Sequence, residues 1–302
     1  MTAPTPAMAA TPAGPAVLEA PRGLLARLPV LWPAAMLCVF FLIPFVIMVA
    51  FSFYHRVEGG LYEPAFELDN YARFWTPLFT RVLGFSLMIC GLAAVICVTA
   101  SVPFTWFLGR TRRRAQVAWL VGILSILSLS EVIMGFAWSI LLSRSAGLSN
   151  LLVTLGVLDA PDAWTPSFAA LLIGLCFIGF PYSVLMLYPA VNRLDPEITE
   201  AARTLGASPL RGFFTVVLPS LRQAILATAI LVFVFTLGCY VLPQVLGKPE
   251  HWTLSVLITD QAIYQSNVPF AAALAVFLVL VSLALIGLTL LLGQGRKPAG
   301  GR

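Results

Sequence analysis

Glu131 is the clearest acid inside an apolar run, in SLSEVIMGFAW. A carboxylate at membrane depth is costly and usually faces a cavity or a partner group. Two chemistries fit it. It can present negative charge to a cationic solute, or accept hydrogen bonds from Ser128, Ser130 or a neighbouring helix. Trp138, Tyr182 and Tyr240 lie in similar surroundings, as does Phe136. Aromatic faces hold ammonium groups by cation–π contact, but aromatics near span ends also anchor at the membrane interface. Asp260 is a further acid, in the connection 247–267.

Hydrolytic, redox and phosphate chemistry find no footing. No Ser/His/Asp arrangement or carboxylate pair stands out, and His55 and His251 each flank an apolar run. Cys38, Cys90, Cys97, Cys176 and Cys239 are scattered through apolar runs without a CxxC, which reads as small apolar side chains and not as disulfides or metal ligands. A phosphate-binding loop needs GxxxxGK[ST]. Lys248 precedes Pro249 and Lys297 follows Arg296, so neither lysine fits. No catalytic residue, metal or cofactor is expected, and any ATP must be hydrolysed on another polypeptide.

These residues must be positioned by membrane helices. The chain has 302 residues, 60% of them hydrophobic and 10% charged, against about 25% charged in a soluble domain. Lipid must be its solvent. The net charge of +5 reads as membrane orientation, not as a nucleic-acid partner. Spans of about 20 apolar residues fit six segments: 30–53, 82–108, 117–142, 167–191, 223–246 and 268–293. Arg22 and Arg27 precede the first. Arg110, Arg112, Arg113 and Arg114 follow the second, Arg193, Arg203, Arg211 and Arg222 follow the fourth, and Arg296, Lys297 and Arg302 follow the last. The remaining connections are mixed or acidic. Both termini and the 193–222 connection are therefore expected in the cytoplasm. The fold class is an all-α membrane protein with six transmembrane helices. Residues 1–28, rich in Ala, Pro and Thr over 1–21, are expected to form a disordered tail, 29–294 the membrane domain, and 295–302 a second tail. On a straight third span Glu131 lies about 14 residues, or roughly 21 Å, from the cytoplasmic end.

The 193–222 segment reads as a helical hairpin. Asp195-Pro196 and Ser208-Pro209 each combine a capping side chain with a proline at the first helical position. Gly206 suits the left-handed residue that ends the first arm, and Pro219 is expected to end the second. Ile198, Ala201, Ala202 and Leu205 on the first arm, and Leu210, Phe213, Phe214 and Val217 on the second, follow the i, i+3, i+4, i+7 spacing of an apolar stripe. Glu197 and Glu200 make the first arm acidic, unlike a helix that lies on lipid headgroups. An exposed apolar ridge of this kind implies a protein partner.

EAARTLGASPLRGFFTVVLP resembles the EAA signature of ATP-binding-cassette importer permeases, with Glu200, Ala201, Ala202, Gly206, Leu218 and Pro219 matching it position by position. The resemblance implies that this hairpin, Leu210, Phe213 and Phe214 included, is the coupling helix that docks on the cytoplasmic ATPase. LWPAAMLCVFFLIPFVIMVAFSF and LDNYARFW also resemble that family. FAWSILLSRSAGLSNLLVTLGV and YVLPQVLGKPEHWTLSVLITDQ resemble a branch that includes spermidine/putrescine systems, with related branches for iron(III), thiamine, phosphonate and sulfate-type substrates. What the resemblance implies is a bacterial inner-membrane permease subunit. Its implied partners are two ATP-binding subunits, a second permease chain (a sister or a second copy) and an extracytoplasmic substrate-binding protein. Glu131, Trp138, Tyr182 and Tyr240 become candidates for its translocation pathway. Similar permeases often show Pro-Asp/Glu-Val at Glu131. Ser130 stands in the proline's place, which leaves a local bend without its usual cause.

Overall fold

A computed structural model describes residues 28–57, 62–145 and 147–294. They are helical almost throughout, with one antiparallel bridge, His55 to Glu63. In chain order the main helices are α1 (Trp32–Phe51), α2 (Pro77–Leu108), α3 (Arg113–Leu127), α4 (Glu131–Leu141), α5 (Phe168–Asn192), α6 (Pro196–Thr204), α7 (Pro209–Gly238), α8 (Val241–Leu246) and α9 (Val268–Gln294). The expected tails lie outside the described residues, except for Leu28, and so does Glu58. Up to Ile47 the described chain is helix, with a π turn at Cys38–Leu42.

Five of these helices, α1, α2, α5, α7 and α9, are long and apolar enough to cross a membrane. The sixth expected span, 117–142, is not one helix. α3 and α4 meet at 93° across Ser128–Ser130. Serine supplies the break that proline would otherwise supply. Ser128 Oγ donates to the Ser125 carbonyl at 2.7 Å, while Ser130 Oγ accepts from the Val132 N–H at 3.3 Å and caps α4. The 21 Å depth expected for Glu131 assumed a straight helix and does not apply.

The fifth expected span also differs. α7 begins at Pro209, inside the hairpin, and runs without interruption to Gly238. Pro219 therefore does not end the second arm. A π-helical turn at Phe213–Val217 stands directly before it, and this turn shifts the hydrogen-bond ladder at the point where proline has no N–H to donate. The real end comes at Cys239 and Tyr240, after which α8 starts at Val241.

The core is built on α2, α5 and α7, which pack against one another. Ile89, Cys90 and Ala93 of α2 meet Leu171, Leu175 and Ile178 of α5, with Leu237, Leu242 and Leu246 closing the cluster. Glycines set these distances. A Cβ on Gly179 would stand 2.9 Å from Cys97 Sγ, and one on Gly174 would stand 2.6 Å from Leu246 Cδ1. Between lipid-solvated helices such close packing replaces the hydrophobic drive. LDNYARFW has a related task after α1. The buried Asn70 amide donates to the carbonyls of Ser52 and Tyr54 at 3.0 and 3.1 Å, and Tyr71 shares a 2.7 Å hydrogen bond with Ser52.

Candidate functional site

The hairpin is assembled as its residue types dictate. Asp195 Oδ1 accepts from the Glu197 N–H at 2.9 Å, and Ser208 Oγ accepts from the Arg211 N–H at 3.3 Å. Gly206 sits at φ +82°. The N–H of Ala207 reaches the Ala202 carbonyl and that of Gly206 the Arg203 carbonyl, the paired closure that fits a left-handed glycine. No atom crowds Gly206, so its backbone conformation alone selects glycine.

The two apolar stripes are divided by exposure. Leu205, Leu210 and Phe214 are 88%, 72% and 60% exposed, and Ile198 is exposed beside them. Glu200 and Ala201 also face outward, while Ala202 and Leu218 are half-buried and Pro219 is exposed. Phe213 and Val217 turn the other way. Val217 is buried with Val191 and Leu221, and Phe213 packs against that cluster and against Trp106. The expectation that the whole second stripe faces a partner is corrected to this extent: half of it seats the hairpin on the ends of α2 and α5.

Sequence reasoning missed the residues under the hairpin. Arg110 lies 3.5 Å above the Trp106 ring. Burial, followed by the charge of Arg203, holds its pKa below the ordinary arginine value. Trp106, Arg110, Asn192, Asp195 and Thr199 line a cavity of about 240 Å³ below the first arm. The available signal was a tryptophan directly before the arginine cluster.

The second region is where the bent α3–α4 span meets the start of α8. Glu131 is the first residue of α4, and its Oε1 accepts from the backbone N–H groups of Val241 and Leu242, both at 3.1 Å. These are the first two amides of α8, which a helix start leaves unpaired. The expected partners Ser128 and Ser130 are engaged elsewhere. On the other side of the break the Ser255 hydroxyl donates to the Cys239 carbonyl. α8 is seated closely on α4, since a Cβ on Gly135 would lie 3.5 Å from Val241 Cγ1.

The four pathway candidates do not form one cluster. Tyr240 is half-buried at the break, next to the amides that Glu131 holds. Trp138 packs edge-on against Phe177 at 5.4 Å and borders an apolar groove of about 490 Å³ with Cys97, Cys176 and Phe180. Tyr182 instead packs on Phe235 of α7, with ring centres 4.2 Å apart. Phe136 is exposed on α4, and Asp260 begins a π turn in the 247–267 connection. No group of three or more metal-ligating side chains occurs among the described residues.

Residues 28–297 match the family described as binding-protein-dependent transport system inner membrane component. The spermidine/putrescine transport system permease protein PotB of Escherichia coli K12 is 31% identical over 247 residues, which cover 81% of this chain and 89% of that protein. The corresponding protein of Haemophilus influenzae is 28% identical, over 83% of this chain and 87% of its own length. The molybdenum transport system permease protein ModB of Azotobacter vinelandii is 30% identical over 58% of this chain and 77% of its own. A crystal structure of a bacterial ABC transporter for the acidic polysaccharide alginate superposes with TM-score 0.70 at 16% identity, over 91% of this chain and 96% of that chain, and shows that the fold is shared. EAARTLGASPLRGFFTVVLP is the EAA motif characteristic of such permeases. The chain belongs to the family of binding-protein-dependent transport system inner membrane components, the permease subunits of ATP-driven importers.

Proposed function

We propose that this permease subunit carries a polyamine of the spermidine/putrescine type across the inner membrane. It does so beside a second permease chain, driven by two cytoplasmic ATP-binding subunits and supplied by an extracytoplasmic binding protein. The observation that carries the substrate is the 31% identity to spermidine/putrescine permeases over 81% of the chain. The charge pattern agrees with it: the expected apolar spans contain no interior arginine. An anion route would call for arginine or open helix N-termini instead.

Both termini and the hairpin face the cytoplasm in this reading, in keeping with the arginine distribution. The hairpin presents Glu200, Ala201, Leu210 and Phe214 outward to the ATPase. Ala202, Leu218 and Pro219 shape its base, and Gly206 turns the chain between its arms. A capped element seated on α2 and α5 through Phe213 transmits displacement better than a loop would. Glu131 and Tyr240 belong to the moving part of the passage, with Trp138 and Tyr182 at its flanks. Uptake of labelled putrescine and spermidine in cells that lack this gene but retain the partner genes tests the substrate. Loss of uptake that wild type restores supports it. Unchanged uptake, in cells without another polyamine importer, contradicts it.

A further inference from the structure

We infer, on the basis of the importer reading, that Glu131 is a positioning residue. Its carboxylate clamps the start of α8 to the start of α4, so that α4 and α8 move as one body.

Each break leaves N–H and C=O groups unpaired, and in hydrocarbon such a group is costly unless protein satisfies it. The break between α3 and α4 is closed locally by Ser128 and Ser130. The break between α7 and α8 is not. Its Val241 and Leu242 amides depend on Glu131, more than a hundred residues earlier, and its Cys239 carbonyl depends on Ser255. Glu131 also sits at the N-terminus of its own helix, where negative charge is favoured.

Packing then explains what the clamp joins. Leu242 and Leu246 of α8 are fully buried, and they face Gly135 of α4 and Gly174 of α5. On α4, Met134 and Gly135 are buried while Val132, Ile133, Phe136 and Ile140 are exposed. α4 is thus held to the body along a narrow face, mostly by α8. A carboxylate bonded to two amides is already satisfied, so a passing cation must displace both to reach it. The acceptor geometry, more than the charge, is what the site uses.

This separates two variants. In Glu131→Gln the side-chain carbonyl still accepts from both amides, whereas in Glu131→Ala it is gone. The test uses the transporter assembled in nanodiscs with its ATP-binding subunits, permease partner and binding protein. It reads hydrogen–deuterium exchange over residues 239–247 and ATP hydrolysis stimulated by the binding protein. The expected result is exchange about ten-fold faster at the two amides in Glu131→Ala, as one lost hydrogen bond implies, together with weakened stimulation. Glu131→Gln should stay within about two-fold of wild type in both. If Glu131→Ala does not assemble, Glu131→Gln against wild type decides alone. Loss of stimulation in Glu131→Gln would overturn the clamp in favour of a charge that meets the solute. Unchanged exchange in Glu131→Ala would also overturn it. A wild-type assembly that hydrolyses no ATP would sink the importer reading, while the exchange comparison would still judge the clamp.

Discussion

The Glu131 carboxylate accepts the backbone N–H of Leu242 at 3.1 Å, across 111 residues of sequence. One side chain thereby joins the only strongly bent span pair among the described residues to the start of α8. The Ser255 hydroxyl serves the same break from the carbonyl side. Ser255→Ala should leave the Cys239 carbonyl unpaired, at a cost of about 1–3 kcal/mol for a buried acceptor. Thermal unfolding in detergent would show a lowered midpoint. An unchanged midpoint would mean that the carbonyl finds another donor.

Gly206 is required by conformation, not by space. Gly206→Ala should cost about 1 kcal/mol, because a Cβ in the left-handed region is strained. Gly206→Pro should reduce transport further, because proline cannot adopt a positive φ. Membrane insertion should survive in both, since Gly206 lies outside the spans. Uptake assays paired with membrane-fraction blots would check this, and full uptake by Gly206→Pro would contradict a coupling role for the turn.

Glycines in the bundle differ in a way that contacts make explicit. A Cβ on Gly174 meets Leu246 at 2.6 Å, whereas Gly122 of α3 has nothing within 4 Å. Gly174→Ala should destabilise by about 1–3 kcal/mol through overpacking. Gly122→Ala should be neutral or stabilising by up to about 1 kcal/mol, from helix propensity. Detergent unfolding midpoints of the two variants should therefore move in opposite directions or differ clearly.

Outside the membrane, His55 Nδ1 lies 2.8 Å from Glu67 Oε2. The hydrogen bond that His55 donates to the Glu67 carboxylate, then the charge of Glu67, raises the His55 pKa above 6.5. Protonated His55 is thus favoured in the folded loop. Its contribution is full below the unfolded value near 6.5 and fades as pH rises through the raised folded value. Nuclear magnetic resonance titration of the His55 ring should give a midpoint above that of Glu67→Gln. Equal midpoints would remove the interaction.

Much of this architecture was readable from residue types. Asp195-Pro196, Ser208-Pro209 and Gly206 placed the caps and the turn of the hairpin where the structure has them. Long apolar runs placed most of the spans, because lipid enforces length and composition. The breaks were not readable. Hydropathy carries no sign of the 93° bend at Ser128–Ser130, since serines are tolerated in straight spans and break one only through local hydrogen bonds. Nor could spacing tell Phe213 from Phe214. Both sit on the same helical stripe, and it is the packing of Phe213 against Trp106, Val191 and Val217 beneath the hairpin that sets it apart from the exposed Phe214. The pairing of Glu131 with α8 was hidden for a plainer reason: the donors are backbone amides, which every residue has.

The central claim is that the exposed ridge of the hairpin is where the ATP-binding subunit engages. The most direct measurement is co-purification in detergent of tagged wild-type chain, and of the Leu210→Asp/Phe214→Asp double variant, with the ATP-binding and permease partners. Both residues are largely exposed, so the variant should insert and keep its permease partner. The account predicts that wild type retains the ATP-binding subunit and that the double variant loses it. Equal retention by both would contradict the account.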